Sequence, residues 1–157
     1  MRVGIGYDLH TFAKDRDLIL GGIKIPYKFG LLGHSDADVL IHGIIDALLG
    51  AMGESDIGTH FPDTDNSYKN ISSVILLEKT LEILNKNNYK IINIDTNIIC
   101  QKPKLMPYIT QIRQNLAKIL KIDEKQISVK AKTNEKVDAI GEGKAISVQC
   151  VCLIEEK

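Results

Sequence analysis

Arg2-Val3-Gly4-Ile5-Gly6-Tyr7-Asp8-Leu9-His10 alternates without a break, with Val3, Ile5, Tyr7 and Leu9 on one phase and Gly4, Gly6, Asp8 and His10 on the other. A period of two marks a β-strand with two unlike faces. One face is apolar. The other starts bare and ends in a carboxylate and an imidazole, which leave the strand together because residues two apart share a side. Downstream, residues 18–29 (LILGGIKIPYKF) read as a hairpin turning at Gly21-Gly22. Ser35-Asp36-Ala37-Asp38 looks like a capping box and opens a helix running to about Met52. Its apolar stripe is Ile41, Ile44 or Ile45, Leu48 and Met52, beside a polar stripe of Asp38, His42 and Asp46 at i, i+4, i+8.

Residues 54–70 (ESDIGTHFPDTDNSYKN) are poor in apolar side chains and predict a long mobile loop, of a length that is usually functional or disordered. A second helix is expected over 71–87, with Val74, Leu77, Leu81 and Leu84 inward. A strand over 91–100 follows, with Ile92, Ile94, Ile98 and Cys100 on one side. After Pro103 a third helix, 107–120, buries Ile109, Ile112, Leu116 and Ile119 or Leu120. Strands at 126–135 and 145–154, joined by VDAIGEGK, complete the chain. Helices and strands do not alternate strictly, which predicts an α+β fold: a mostly antiparallel or mixed sheet with three main helices on one face. Val3 and Ile5 leave the other face partly apolar, and self-association would cover it.

A chain of 157 residues fits a single domain over 1–157. Apolar residues are 44% and charged residues 25%, the balance of a folded globular protein. Lys+Arg 20 against Asp+Glu 20 leaves no basic field for a nucleic-acid backbone. No apolar run approaches the ~20 residues needed to span a bilayer. The N-terminus enters the first strand directly, so no leader is expected ahead of it. Cys100, Cys150 and Cys152 are too few and odd in number for a disulfide framework, and Cys150 and Cys152 have the spacing of one strand face in a core. Only Arg2, Arg16 and Arg113 are arginines, so phosphate cannot rest on an arginine cluster here.

Chemistry can sit at several points. Asp8 and His10 with His42 would make an Asp/His/His set, three ligands with an open fourth position, as in working zinc sites; the same tripeptide also suits a cap or a surface pair. Asp38 or Asp46, one turn from His42, could orient its ring. His34 and Ser35 lie at a helix N-terminus, where an anion is favoured, although Ser35 also suits a cap. Asp56-Ile57-Gly58 and Phe61-Pro62-Asp63-Thr64-Asp65 could hold a polyol and close over it, or stand as a solvated loop. Lys102 to Pro107 could clasp a base or a phosphate. Thr133 and Glu135 share a strand phase and project side by side toward solvent, an oxygen pair suited to magnesium.

GYDLH at 6–10, HSDADVLIHGIIDALLGAMG at 34–53, DIGTHFPDTD at 56–65, KP near 103 and KTNEK at 132–136 together resemble the 2-C-methyl-D-erythritol 2,4-cyclodiphosphate synthase family over nearly the whole chain. The resemblance implies a homotrimer of α+β subunits with active sites between neighbouring chains, acting in the non-mevalonate isoprenoid pathway. It implies a metal-dependent phosphorus–oxygen lyase: the 2-phosphate of 4-diphosphocytidyl-2-C-methyl-D-erythritol 2-phosphate attacks the β-phosphorus, the ring closes and CMP leaves. By position, Asp8, His10 and His42 match ligands of Zn2+ or another divalent transition metal, and Glu135 matches a ligand of Mg2+ or Mn2+. His34 and Thr133 match residues that steady the transition state. Ser35, Asp56, Ile57, Gly58, Phe61, Asp63 and Asp65 match the substrate arm. Cys100, Pro103, Lys104, Leu105, Met106, Ala131 and Lys132 match the cytidine pocket. It also implies a bacterial cytoplasmic location, or a plastid one where a leader has been removed. The chain departs from the family at Lys132, where the usual Thr-Thr pair becomes Lys-Thr, and at Ala139, Glu142 and Lys144, where a Phe is lost and an Arg/Glu pair has exchanged signs. The latter positions line the family's central channel, so an isoprenoid site there is not expected.

Overall fold

The computed structural model describes residues 1–157. β1 (Arg2–Ala13) lies between a short β4 (Gly30–Leu31) and the long C-terminal β7 (Ala145–Glu156), antiparallel to both. β7 pairs on its other edge with β5 (Tyr89–Ile99), and β5 runs parallel to β6 (Ile127–Lys132), giving the order β4-β1-β7-β5-β6. The expected hairpin is a separate two-stranded sheet of β2 (Leu18–Leu20) and β3 (Ile23–Ile25). The mixed sheet expected from the element order is present.

The three main helices are α1 (Val39–Met52), α3 (Ser73–Lys86) and α4 (Ile109–Leu120). α1 packs between β1 and β7 on one side and α3 on the other, and eleven of its fourteen residues are buried. A helix covered on nearly all sides needs apolar residues all round rather than a single stripe, which is what VLIHGIIDALLGAM supplies. One continuous core of 34 buried residues joins α1, α3 and α4 to the inner face of β7 and β5.

Four expectations need correction. The cap of α1 is Asp38, whose carboxylate accepts from the amide N–H of Ile41, so the helix starts later than a Ser35 box would place it. β5 carries a register shift between Ile91 and Asn93, so Ile91, and not Ile92, joins Ile94 and Ile98 in the core; a bulge inverts the phase that strict alternation predicts. β6 ends at Lys132, leaving Thr133 and Glu135 in a loop where Glu135 adopts a φ of 49°. The 54–70 segment is built, with a helical turn α2 (Ile57–His60) and a 3-10 turn at Asn66–Tyr68, each capped by an aspartate.

Candidate active site

Two glycines bring the site together. A Cβ at Gly4 would lie 1.9 Å from the carbonyl oxygen of Ala47, and one at Gly6 would lie 2.0 Å from that of Gly43, so only a bare strand lets α1 approach this closely. Asp8 is the next residue on the same strand face and His42 precedes Gly43 on the helix. The close approach therefore sets His42 over Asp8, with Nδ1 3.0 Å from Oδ2. His10, one strand repeat further, places Nε2 2.9 Å from the same oxygen and 3.2 Å from His42 Nδ1.

These three atoms fit a divalent ion. A four-coordinate zinc-sized ion with bonds of about 2.0–2.1 Å holds its donors about 3.3 Å apart; the separations here are 2.9, 3.0 and 3.2 Å. His10 Nδ1 donates to the carbonyl of Leu32 at 2.6 Å, which directs the Nε2 lone pair at the shared centre. Burial alone would raise Asp8, but hydrogen bonds and charge attraction from His10 and His42 outweigh it and hold the carboxyl well below its usual range. Burial lowers His10, and the hydrogen bond and charge of Asp8 overcome that, so its net displacement is upward.

The triad opens into a cleft of about 570 Å³ that is also lined by Gly33, His34, Ser35, Ile57, Gly58, Phe61, Pro62, Asp63 and Thr64. His34 reaches across the opening to the carbonyl of Asp65 at 3.1 Å. Asp56 and Asp65 turn their carboxylates to the amides of Thr59 and Ser67 as turn caps. The 56–65 stretch is thus a shaped wall with Asp63 facing the cleft.

The remaining candidates gather elsewhere on the chain. Parallel pairing of β5 with β6 sets Ile98 beside Ala131 and Ile99 beside Lys132, and the Cys100 N–H donates to the Lys132 carbonyl. Cys100 therefore adjoins Lys132, and Pro103, Lys104, Leu105 and Met106 follow it in the chain, with Leu105 buried and Met106 exposed. Thr133 and Glu135 stay in contact, the Thr133 hydroxyl 3.3 Å from the Glu135 carboxylate, despite leaving the strand. None of these residues lines the cleft that holds Asp8, His10 and His42. Burial pushes the Cys100 thiol up to about 12 and Cys152 up to about 11, with Cys150 also well above its usual value, so no thiol here is a nucleophile at neutral pH.

Neither aspartate expected to orient His42 does so. Asp38 is fully buried and accepts from the amides of Gly21, Gly22 and Ile41, tying the β2–β3 hairpin to the start of α1. Asp46 accepts from the amide of Ile57 and anchors the cleft wall. The ring of His42 instead meets Ser73 and Ser35, at 2.9 and 3.1 Å from Nε2. Ser73 carried no sequence signal, because its contact with His42 spans thirty-one residues. Glu142 and Lys144, the pair with exchanged signs, form an ion pair with each other.

A sequence profile of the YgbB family matches residues 1–155. The 2-C-methyl-D-erythritol 2,4-cyclodiphosphate synthase of Brachyspira hyodysenteriae is 58% identical over 156 residues, covering 99% of both chains. That of Clostridium novyi is 59% identical over 157 residues, covering 100% of both. Among solved structures, the bifunctional IspDF of Campylobacter jejuni superposes with a TM-score of 0.96 at 38% identity; 99% of this chain aligns, spanning 42% of that longer protein. The CDP complex of Plasmodium falciparum IspF gives a TM-score of 0.86 at 42% identity, with 99% and 96% of the two chains covered. With full-length relatives at this identity and a profile match from end to end, the chain belongs to the YgbB family.

Proposed function

We propose that this chain is a 2-C-methyl-D-erythritol 2,4-cyclodiphosphate synthase, an enzyme of isoprenoid precursor synthesis that cyclises 4-diphosphocytidyl-2-C-methyl-D-erythritol 2-phosphate and releases CMP. The observation that carries this is the convergence of Asp8 Oδ2, His10 Nε2 and His42 Nδ1 within 3.2 Å at the head of an open cleft, in a chain of this family.

The reaction needs no protein nucleophile, because attacking and leaving groups belong to one substrate. The 2-phosphate oxygen bonds to the β-phosphorus as the bond to the α-phosphate oxygen breaks, and CMP carries away the electron pair. What the protein must provide is positioning and charge neutralisation. Asp8, His10 and His42 would hold a Zn2+ ion, or another divalent transition metal, which would supply Lewis-acid neutralisation of phosphate oxygens. His34, at the cleft mouth, is suited to donate a hydrogen bond to a phosphoryl oxygen as charge builds there. Ser35, Ile57, Gly58, Phe61 and Asp63, with Asp56 and Asp65 stiffening the turns around them, form a wall that can grip the erythritol arm and exclude water, whose attack would compete with ring closure.

Glu135 is assigned to a second hard cation, Mg2+ or Mn2+, Thr133 beside it to steadying the transition state, and Cys100–Met106 with Ala131 and Lys132 to the cytidine. Their absence from the lining of the triad cleft supports a homotrimer whose sites lie between chains, one contributing the triad and its neighbour the nucleotide segment. The outer face of β1 supports the same reading: Val3, Ile5, Tyr7 and Leu9 are exposed, with Val151 of β7 beside them. Residues 1–157 serve as one catalytic domain, consistent with the single core. Three buried free thiols and bacterial relatives support a cytoplasmic location; no helix is long and apolar enough to cross a membrane.

Incubation of the purified protein with the cytidylylated substrate and magnesium tests the assignment. CMP and the cyclic diphosphate are expected in equal amounts. Inorganic phosphate in place of the cyclic product would mean a metallophosphatase, and CDP binding without CMP release would mean a non-enzymatic nucleotide binder.

A further inference from the structure

Behind the triad lies a second set of contacts, on the side of His42 away from the cleft centre. Ser73, the first residue of α3, is fully buried, and Asp36 holds it twice. One Asp36 oxygen accepts from the Ser73 hydroxyl in a short contact, and the other accepts from the Ser73 amide at 3.0 Å. A serine hydroxyl has a single proton. With that proton committed to a carboxylate, which in its ionised form can only accept, Ser73 Oγ can only accept from His42 Nε2, 2.9 Å away. The imidazole proton is thereby drawn to Nε2, and the Nδ1 lone pair is left facing Asp8 and His10.

Ser35 cannot supply this direction by itself. Its oxygen also lies near His42 Nε2, at 3.1 Å, but its only other close partners are the Ala37 amide, which donates to it, and Ser73 Oγ at 3.4 Å. No acceptor of Asp36's strength takes its proton. Asp36 in turn is held in place by the loop around it: its own amide donates to the Ile71 carbonyl and its carboxylate accepts from the Asp38 amide. The start of α3 and the approach to α1 are therefore locked together through Asp36 and Ser73, of which Ser73 faces His42.

From this geometry we infer that Asp36 and Ser73 are positioning residues for the metal centre. They act as a carboxylate–hydroxyl relay that fixes the tautomer and ring orientation of His42, so that Nδ1 is presented as a ligand. The inference rests on the metal-site reading of Asp8, His10 and His42, and extends it to two residues that touch neither ion nor substrate. Outer partners of this kind typically alter metal affinity by roughly 10–100-fold.

Zinc affinity, measured by chelator competition on the parent, Ser73→Ala and Asp36→Asn, tests the relay. Asparagine is nearly isosteric with aspartate, but its amide group can donate toward Ser73 Oγ, freeing the serine proton to point at His42 Nε2 and reversing the direction of the relay. Both variants are expected to bind zinc roughly 10–100-fold more weakly. The zinc-loaded parent is also expected to show a slowly exchanging imidazole Nε2–H proton resonance from His42 that Ser73→Ala loses. Circular dichroism reports folding, and Ser73→Ala carries the test if Asp36→Asn does not fold. Zinc affinity within twofold of the parent in folded Ser73→Ala, or retention of the protected Nε2–H resonance, overturns the relay while leaving the metal site standing. A parent that binds no zinc overturns both.

Discussion

The two faces of β1 are built from the same nine alternating residues and end differently. The inner face is finished within the chain: Gly4 and Gly6 admit α1, and Asp8 and His10 meet His42 at 2.9 to 3.2 Å. The outer face stops at solvent, with Ile5 75% exposed and Val3 67%. Apolar side chains in a row on a strand face are expected to be covered, and the residues assigned to the nucleotide do not line the cleft that holds the triad. On the proposed reading, the inner face carries the reaction's charge chemistry, while the outer face carries an assembly that completes the site.

That division can be broken from either side. The largest effect is expected from His42→Ala. It removes one of three metal donors, so CMP release should fall by about a thousandfold or more and bound zinc should be lost, while native mass and circular dichroism are unchanged because the outer face is untouched. A variant that kept full turnover would separate the triad from catalysis.

Ile5→Asp addresses the other face. A charge on a residue that is exposed in the single chain should change the stability of that chain by about 0.5 kcal/mol or less. It should nevertheless shift native mass from trimer toward monomer and reduce CMP release about tenfold or more at dilute protein, as subunit mass action would require. Trimer-sized mass with normal turnover would remove the outer face from the account.

Asp38→Ala sharpens the contrast between a structural carboxylate and a functional one. Asp38 meets three amide N–H groups, which are fixed donors, whereas Asp8 meets imidazoles, which can release a proton to solvent when a metal takes its place. Loss of Asp38 should cost about 2–4 kcal/mol in urea unfolding, from buried amides left unpaired and a lost helix cap. The refolded fraction should still bind zinc. Burial pushes Asp38 up to about 6, against the pull of those amides. Because its folded value lies above the unfolded one, near 3.8, the folded state holds more protons between the two, and this group's contribution to stability falls as pH rises from about 4 to about 6.

The smallest effect is the pH dependence of metal binding. The upward displacement of His10 means that a proton must leave it before it can ligate, so apparent zinc affinity should rise by about tenfold per pH unit while His10 remains protonated, then level off. Asp8 is displaced downward and stays ionised through that range. Isothermal titration in buffers of different ionisation enthalpy would count the released protons.

Much of this arrangement is legible in the sequence, because periodicity reports which face of an element is buried. The glycine-bearing phase of β1, the hairpin at Gly21-Gly22 and the α+β layering follow from spacing alone. The motifs that resemble the cyclodiphosphate synthase family led to the triad by position. What escaped depends on long-range contact or local irregularity. The bulge near Ile92 inverts a phase with no residue that announces it. Asp38 lies one turn from His42 yet turns to Gly21 and Gly22, because a carboxylate preceding a helix can as readily cap it as support a ligand. Ser73 has no neighbour in sequence that marks it, and only the packing of α3 against α1 brings it to His42.

Zinc-edge X-ray absorption of the metal-loaded protein tests the central claim most directly. The account predicts a shell of nitrogen and oxygen at about 2.0–2.1 Å with the multiple-scattering signature of two imidazoles, both lost in His42→Ala together with bound metal. A sulfur shell at about 2.3 Å, or a spectrum unchanged in that variant, would contradict it.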